Sequence, residues 1–167
     1  MKTVVIALAR FSSTRLRGKI LMNLDDHFVM EWVVRACQAA TGVDEVWVAT
    51  STNPADDATQ EACAAMNVPC FRGSEDDVLT RFYETAIAAK ADIVVRITCD
   101  CPYIDPAVLG AVIRLQKDTG AAYCSNISPR SFSDGLDCEA FTLAALKTAY
   151  EEATCPIDRE CVTTWIH

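Results

Sequence analysis

The chain of 167 residues contains no uninterrupted apolar stretch near the roughly 18 residues that a membrane-spanning helix requires. Its opening, MKTVVIALARFSSTR, has a short apolar run that stops at Arg10, without the longer apolar region and small-residue cleavage site of a secretory signal. Met1 to Leu8 therefore reads as a buried strand, and a cytoplasmic protein is expected. Positive charge is scarce. Fifteen Lys and Arg stand against 23 Asp and Glu, a formal net charge of −8, whereas a general nucleic-acid binder shows a basic face or stripe. Histidine is nearly missing too. His27, after Asp25-Asp26 and just before a helical pattern, reads as a surface turn residue, and the other histidine is His167. A histidine-dependent mechanism is not expected.

Cysteine is plentiful, but paired cysteine is not. The nine residues include no C-x-x-C and one C-x-C, Cys99 and Cys101. Zinc sites use paired short spacings, so thiols in apolar runs such as Val68-Pro69-Cys70-Phe71 read as small buried hydrophobes. The six glycines also miss the positions that two familiar phosphate loops require. G-x-x-x-x-G-K-[ST] needs glycine where Ser13 stands and a hydroxyl where Ile20 stands; G-x-G-x-x-G has no glycine here before Gly18.

What is present is an alternation. Continuous apolar, β-branched runs (Thr3–Leu8, Glu45–Ala49, Val68–Phe71, Asp92–Ile97 and Ala121–Ser125) are separated by helical patterns over Phe28–Ala40, Ala55–Met66, Asp76–Lys90 and Pro106–Lys117. Strands apolar on both faces suit a sheet covered on both sides. Repeated βαβ units imply a doubly wound sheet. The expected fold is α/β, three-layered, with a mainly parallel sheet, in one domain spanning 1–167. Ser51-Thr52-Asn53-Pro54 caps one helix and Asp105-Pro106 another, while the acids of Ser74-Glu75-Asp76-Asp77 complement a helix dipole. After a long loop from Asn126 to Gly135, Leu136–Phe141 reads as a strand and Leu143–Ala153 as a helix. A last helix is expected from Asp158 through Ile166. It stops on apolar residues, as a chain truncated at its C-terminus would. The face of Val162, Trp165 and Ile166 would then need cover, by a homodimer partner or by missing chain.

In doubly wound sheets ligands bind beyond the carboxyl ends of the strands. The loop after the first strand, Ala9 to Lys19, packs Arg10, Arg15, Arg17 and Lys19 around small hydroxyl residues. Cations with close-approaching backbone N–H groups suit an anion such as phosphate; by composition alone, a solvated basic loop is the competing reading. Asp100 follows the fourth strand, where a carboxylate in a phosphate site would suit Mg²⁺, a hard cation that prefers oxygen. The competing reading there is an Asx-turn cap.

The loop A-R-x-x-S-T-R-L-x-G-K-x-L, from Ala9 to Leu21, resembles the signature of the sugar-acid cytidylyltransferases, which make CMP-KDO and CMP-sialic acid. The whole chain resembles the spore-coat polysaccharide branch. The blocks are A-T-S-x-x-x-x-D-D at Ala49 to Asp57, F-R-G-S-E-D-D-V-L at Phe71 to Leu79 and R-I-T-x-D-C-P-x-I-D-P at Arg96 to Pro106. They continue with S-N-x-x-P-R at Ser125 to Arg130 and G-L-D-x-E-x-F at Gly135 to Phe141. Each block is weak alone; their order and spacing are specific. Arg17 replaces a usual proline and Cys99 a usual glycine, which would add strain if that position needs positive φ.

The resemblance implies transfer of CMP from CTP to a sugar acid or related acceptor, with Mg²⁺ and release of pyrophosphate. Arg10, Arg15 and Lys19 would hold the triphosphate, with Ala9, Ser13 and Thr14 contributing backbone or hydroxyl groups. Asp100 would ligate the metal. Arg72, Ser74, Asp77 and Arg81 would line the base and ribose, and Asn126, Arg130, Asp137 and Glu139 the acceptor. Asp137 and Glu139 are expected on one strand face at spacing two; such a pair could bind metal, bind sugar hydroxyls or pair with Arg96. Relatives carry a further metal-binding aspartate in a segment that nothing in this chain matches. Two other readings compete. A nucleotide-sugar-dependent glycosyltransferase would favour a D-x-D motif, which Asp100-Cys101-Pro102 is not, and a non-catalytic nucleotide-binding fragment would bind without turnover.

Overall fold

In the computed structural model, which describes residues 1–13 and 15–166, β1 (Thr3–Leu8) lies at the centre of a six-stranded sheet. On one side lie β4 (Glu45–Ser51) and β5 (Cys70–Gly73), and on the other β6 (Ile93–Thr98), all parallel to β1 in this half of the sheet. The sheet ends in β8 (Glu139–Thr142) and β7 (Tyr123–Ser125), with β8 antiparallel to both neighbours. The order β5-β4-β1-β6-β8-β7 confirms a mostly parallel, doubly wound α/β sheet. A small separate hairpin joins β2 (Asn23–Leu24) to β3 (His27–Phe28). Two-residue strands carry no readable periodicity, and the sequence pattern missed them. His27 accordingly sits in this hairpin, its ring edge-on to Trp32 at 4.9 Å, and is not a plain turn residue.

The helices form the outer layers because their apolar positions repeat at helical spacing. Met30, Val33, Val34 and Cys37 of α1 (Val29–Ala39), Cys63 of α2 (Asp57–Ala65) and Leu109, Val112 and Ile113 of α4 (Pro106–Thr119) pack with Val5 and Ala7 of β1. Val78, Leu79, Phe82 and Ala86 of α3 (Val78–Ala88) and Leu146 and Ala149 of α5 (Leu143–Glu152) pack with Val4 and Ile6 on the opposite face. All four of these β1 residues are fully buried, which explains why the strand reads as a continuous apolar run. Asp105 caps α4 as expected, accepting from Ala107 N at 2.7 Å and Val108 N at 3.1 Å. No helix among the described residues is long and apolar enough to cross a membrane.

The C-terminal segment corrects the sequence reading. The helix α6 begins earlier and ends sooner, at Pro156–Cys161, because proline fits the first turn and Val162 breaks the helix at φ 70°. A β-branched residue in that region is strained. Burial offsets the strain: Val162 is fully buried in the core on the α3–α5 face, and Ile166 packs against the same cluster. Most of the apolar face that seemed to need a partner is therefore covered by the chain itself, though Trp165 stays 36% exposed.

Arg159 fastens this segment. Its guanidinium donates to Asp77 Oδ2 at 2.5 and 3.1 Å, to Thr80 Oγ1 at 2.7 Å and to the Tyr150 carbonyl at 2.9 Å. Burial alone would raise the Asp77 carboxyl, but hydrogen bonds from Arg159 and Thr80 outweigh it and hold it below the usual carboxylate range. A lowered native pKa stabilises the fold above the unfolded value and loses that contribution as pH falls through the native value. Replacement Arg159→Met should therefore lower stability at neutral pH by about 2 kcal/mol, read as a lower denaturation midpoint at unchanged slope. The difference from the parent should shrink at acid pH, as Asp77 protonates in both proteins.

Candidate active site

The chain steps from β1 to β4 and β5 on one side, then crosses back to β6 on the other. The carboxyl ends of β1 and β6 consequently flank a crevice at which the two loops leave in opposite directions. The register pairs Leu8 with Thr98, so the loop after β1 and the Asp100 turn start side by side.

The first loop is pinned where it starts and again where it ends. Buried Ala9 donates to the Ala49 carbonyl at 3.1 Å, and Phe11 N donates to Asp56 Oδ1 at 2.7 Å. Gly18 N closes the loop on the Phe11 carbonyl at 2.8 Å. Gly18 needs to be glycine twice over: its φ is 71°, and a Cβ there would lie 2.8 Å from the Phe11 ring. Arg17 lies over that ring at 5.6 Å, so the cation that replaces a proline stacks on the loop's own aromatic. Buried Ile20 anchors the following 3-10 turn, Lys19–Leu21. Between these pins Arg10 and Arg15 are exposed and Ser13 half-buried; Thr14 lies outside the described residues.

Two carboxylates that the sequence reading passed over set the loop's position. Fully buried Asp56 accepts from Phe11 N and also from the Ser51 hydroxyl and amide. The Glu75 side chain accepts from Ser12 Oγ at 3.0 Å and Asn53 Nδ2 at 2.8 Å, while its carbonyl accepts from Arg10 at 3.2 Å. These two bonds hold the Glu75 carboxyl below its usual range. The loops after β1, β4 and β5 thus meet on Glu75. The sequence signals were that both acids fall inside recognised blocks and that Glu75 is among the acids read as opening a helix.

Across the crevice, the Lys19 ammonium pairs with Asp100 Oδ2, the side chains 25% and 35% exposed. Burial pushes the Asp100 carboxyl up, and hydrogen bonds from Lys19 and Thr98 overcome this and hold it low. Asp100 is therefore charged, just past the end of β6, beside a lysine of the loop after β1. As an oxygen donor it fits a hard divalent cation. Among the described residues no group of three or more His, Cys, Asp or Glu could hold a metal ion. Neighbouring Cys99 is not among the positive-φ residues; cysteine adds no such strain here, and its thiol, pushed up by burial, is fully buried beside the site.

The residues expected around the base are engaged with their own chain. Arg72 donates to the Ser51 and Asn53 carbonyls at 2.9 and 2.8 Å and pairs with Asp57 at 2.7 Å. Ser74 Oγ accepts from Asp77 N at 3.0 Å, and Asp77 caps α3 through Thr80 N at 2.9 Å besides binding Arg159. Arg81 is 1% exposed, donates to the Ser74 carbonyl, and leaves Nε without a hydrogen-bond partner among the described residues. Burial, with Arg10 close by, pulls its guanidinium down to about 10 against the pull of Asp56, Glu75 and Asp77.

On the acceptor side, the expected carboxylate pair does not form. The strand β8 begins only at Glu139, so Asp137 lies outside it. Glu139 is buried, accepting from Arg96 at 2.6 Å and Tyr123 at 2.7 Å. Asp137 makes a two-point pair with Arg130 at 2.7 and 3.2 Å. Buried Asn126 holds the loop shut, donating to the Leu136 carbonyl and accepting from Cys138 N at 2.7 and 2.8 Å. Burial first, then the charges of Asp100, Asp137 and Asp134, push the Cys101 thiol up against a hydrogen bond with Thr98.

A crevice at the switch point of a doubly wound sheet, with a cationic loop on one lip and a charged carboxylate on the other, defines a nucleotide-binding α/β domain of the nucleotidyltransferase type. The cytidylyltransferase family model matches residues 4–166, and the chain belongs to that family. It is 36% identical over 122 residues to the spore coat polysaccharide biosynthesis protein SpsF of Bacillus subtilis, covering 71% of this chain and 51% of that protein. It is 29% identical over 136 residues to the 3-deoxy-manno-octulosonate cytidylyltransferase of Elusimicrobium minutum, covering 80% and 54%. The chain thus spans about half the length of these two relatives. A solved cytidylyltransferase from Leptospira borgpetersenii superposes with a TM-score of 0.94 at 32% identity, covering 99% of this chain and 71% of that one.

The Glu75 side chain and carbonyl place the loop that carries Arg10 and Ser12. Glu75→Ala should raise the KM for the nucleotide roughly tenfold with a smaller change in kcat, since misplaced binding groups weaken positioning. Steady-state kinetics over a nucleotide series reads the split, and Glu75→Gln, which keeps one acceptor, should recover part of the loss.

Proposed function

We propose that this chain carries the nucleotide-activating site of an enzyme that transfers CMP from CTP to a hydroxyl of a sugar acid or related acceptor, releasing pyrophosphate. The observation that carries the reading is Lys19 paired with Asp100 at the β1–β6 switch point, on a loop that also presents Arg10 and Arg15. The related spore-coat and 3-deoxy-manno-octulosonate proteins support a role in glycan synthesis, and the proposal includes a cytoplasmic setting.

The acceptor oxygen attacks the α-phosphorus in line, and pyrophosphate leaves from the opposite side. Little covalent chemistry falls to the protein; positioning and charge stabilisation dominate. Arg10 and Arg15, with Ser13 and Thr14, hold the β- and γ-phosphates. Lys19 lies against charge that develops on the α-phosphate oxygens. Asp100 would hold a divalent cation, Mg²⁺, which would neutralise phosphate charge. Ser74, Asp77 and Arg81 fix the turn after β5 that borders the base, so its backbone groups read cytosine while their side chains stay occupied. Arg130 reaches an acceptor carboxylate by exchanging it for Asp137, an exposed pairing of small net worth.

Two measurements test this reading. With Mg²⁺ present, CTP should raise the melting temperature more than ATP, GTP or UTP; equal shifts for all four would contradict the cytidylyl assignment and leave a nucleotide fold. In a preparation with measurable turnover, Asp100→Asn should cut activity by at least about a hundredfold with the fold preserved, because losing a metal ligand removes several kcal/mol of transition-state stabilisation. Retained turnover would return Asp100 to the role of a turn cap.

A further inference from the structure

Lys19 and Asp100 face each other where the loops after β1 and β6 meet, and both are committed. The Lys19 ammonium bonds Asp100 Oδ2, the carboxylate also takes a hydrogen bond from Thr98, and the Cys101 thiol lies 3.9 Å from Oδ1. The backbone sets this meeting: Lys19 is held by the turn anchored on buried Ile20, Asp100 by the end of β6, and the two strand ends are in register. A cation approaching Asp100 therefore meets a carboxylate already neutralised, and an ammonium that repels it. A polyphosphate approaching Lys19 meets the mirror image, a cation already neutralised and a carboxylate that repels it. Among the described residues no group of three or more His, Cys, Asp or Glu could hold the cation elsewhere.

The two obstacles are one ion pair, and each ligand removes the obstacle to the other. We propose that Lys19–Asp100 is an exchange pair, which makes polyphosphate and divalent cation bind in a mutually dependent way: phosphate oxygens take the ammonium while the cation takes the released carboxylate. The pair keeps the empty site from collecting either ligand alone, and it delivers Lys19 to the phosphates only when the carboxylate has a new partner. By linkage the effect is reciprocal: whatever factor the polyphosphate adds to cation affinity, the cation adds to polyphosphate affinity. This inference rests on the proposed function for the triphosphate and the metal, and is independent of the base.

The test uses Mn²⁺ alone, titrated into nucleotide-free protein and followed by its electron paramagnetic resonance signal. Lys19→Met keeps the length of the side chain and removes its charge; it should bind Mn²⁺ at least about fivefold more tightly than the parent, the low end of ordinary coupling. The double variant Lys19→Met, Asp100→Asn should lose that gain. Unchanged or weaker Mn²⁺ binding by Lys19→Met would overturn the proposal. A second arm needs no Lys19 variant: in EDTA, Asp100→Asn should bind inorganic tripolyphosphate at least about fivefold more tightly than the parent by calorimetry, although the same substitution is expected to cut turnover at least about a hundredfold. Weaker or equal binding would overturn the proposal. Neither arm contains cytosine, so a protein that behaves as expected here yet shows no preference for CTP would uphold the exchange pair and refute the base assignment alone.

Discussion

The central placement of β1 governs the rest of the structure. Its residues Val4, Val5, Ile6 and Ala7 have no exposed surface, so both of its neighbours must be strands and both of its faces must be roofed by helices. With β4 on one side and β6 on the other, connections leave β1 and β6 in opposite directions, and the loops that follow them meet through Lys19 and Asp100 at the switch point. The two ends of the sheet then diverge in chemistry. At the amino end, acids serve the backbone: Asp44 accepts from Thr3 N at 2.7 Å and Asp92 from Lys2 N at 2.6 Å. At the carboxyl end, Arg10 and Arg15 stand exposed.

Charge is distributed to the same effect. Arg72, Arg96, Arg130 and Arg159 are each tied to a carboxylate, namely Asp57, Glu139, Asp137 and Asp77. These pairs hold loops and the C-terminal segment in place. A molecule with net charge −8 can still attract a polyanion where cations cluster, as Arg10, Arg15 and Arg17 do on the β1 loop. Asp56 and Glu75 make that loop a fixed surface by accepting its backbone and hydroxyl donors, so the cations are displayed from a shaped backbone.

Much of this was legible in the sequence, for physical reasons. Parallel strands buried on both faces write themselves as apolar runs, which gave β1 to the residue and β4 and β6 within two. Asp105-Pro106 announced α4 because a cap and a proline act locally. Lys19 and Asp100 stood out because a charge directly after a buried strand has few structural uses. What stayed illegible depends on contacts between distant segments. Asp77 looked like a first-turn acid, and nothing local says that Arg159, 82 residues on, will claim its other face. Asp137 and Glu139 looked like a facing pair, but spacing two has that meaning only inside a strand, and β8 starts at Glu139. The helix expected through Ile166 failed because burying Val162 outweighed its backbone strain.

The central claim, that this crevice activates an acceptor with a cytidine nucleotide, is tested most directly by incubating the protein with CTP, Mg²⁺ and a panel of sugar acids and measuring pyrophosphate release. The account predicts release that requires both CTP and one class of acceptor, with a CMP-linked product in equal amount. Release of a free nucleotide from a nucleotide-sugar donor instead, with no pyrophosphate formed from CTP under any acceptor, would contradict it and mark the site as a glycosyltransferase's.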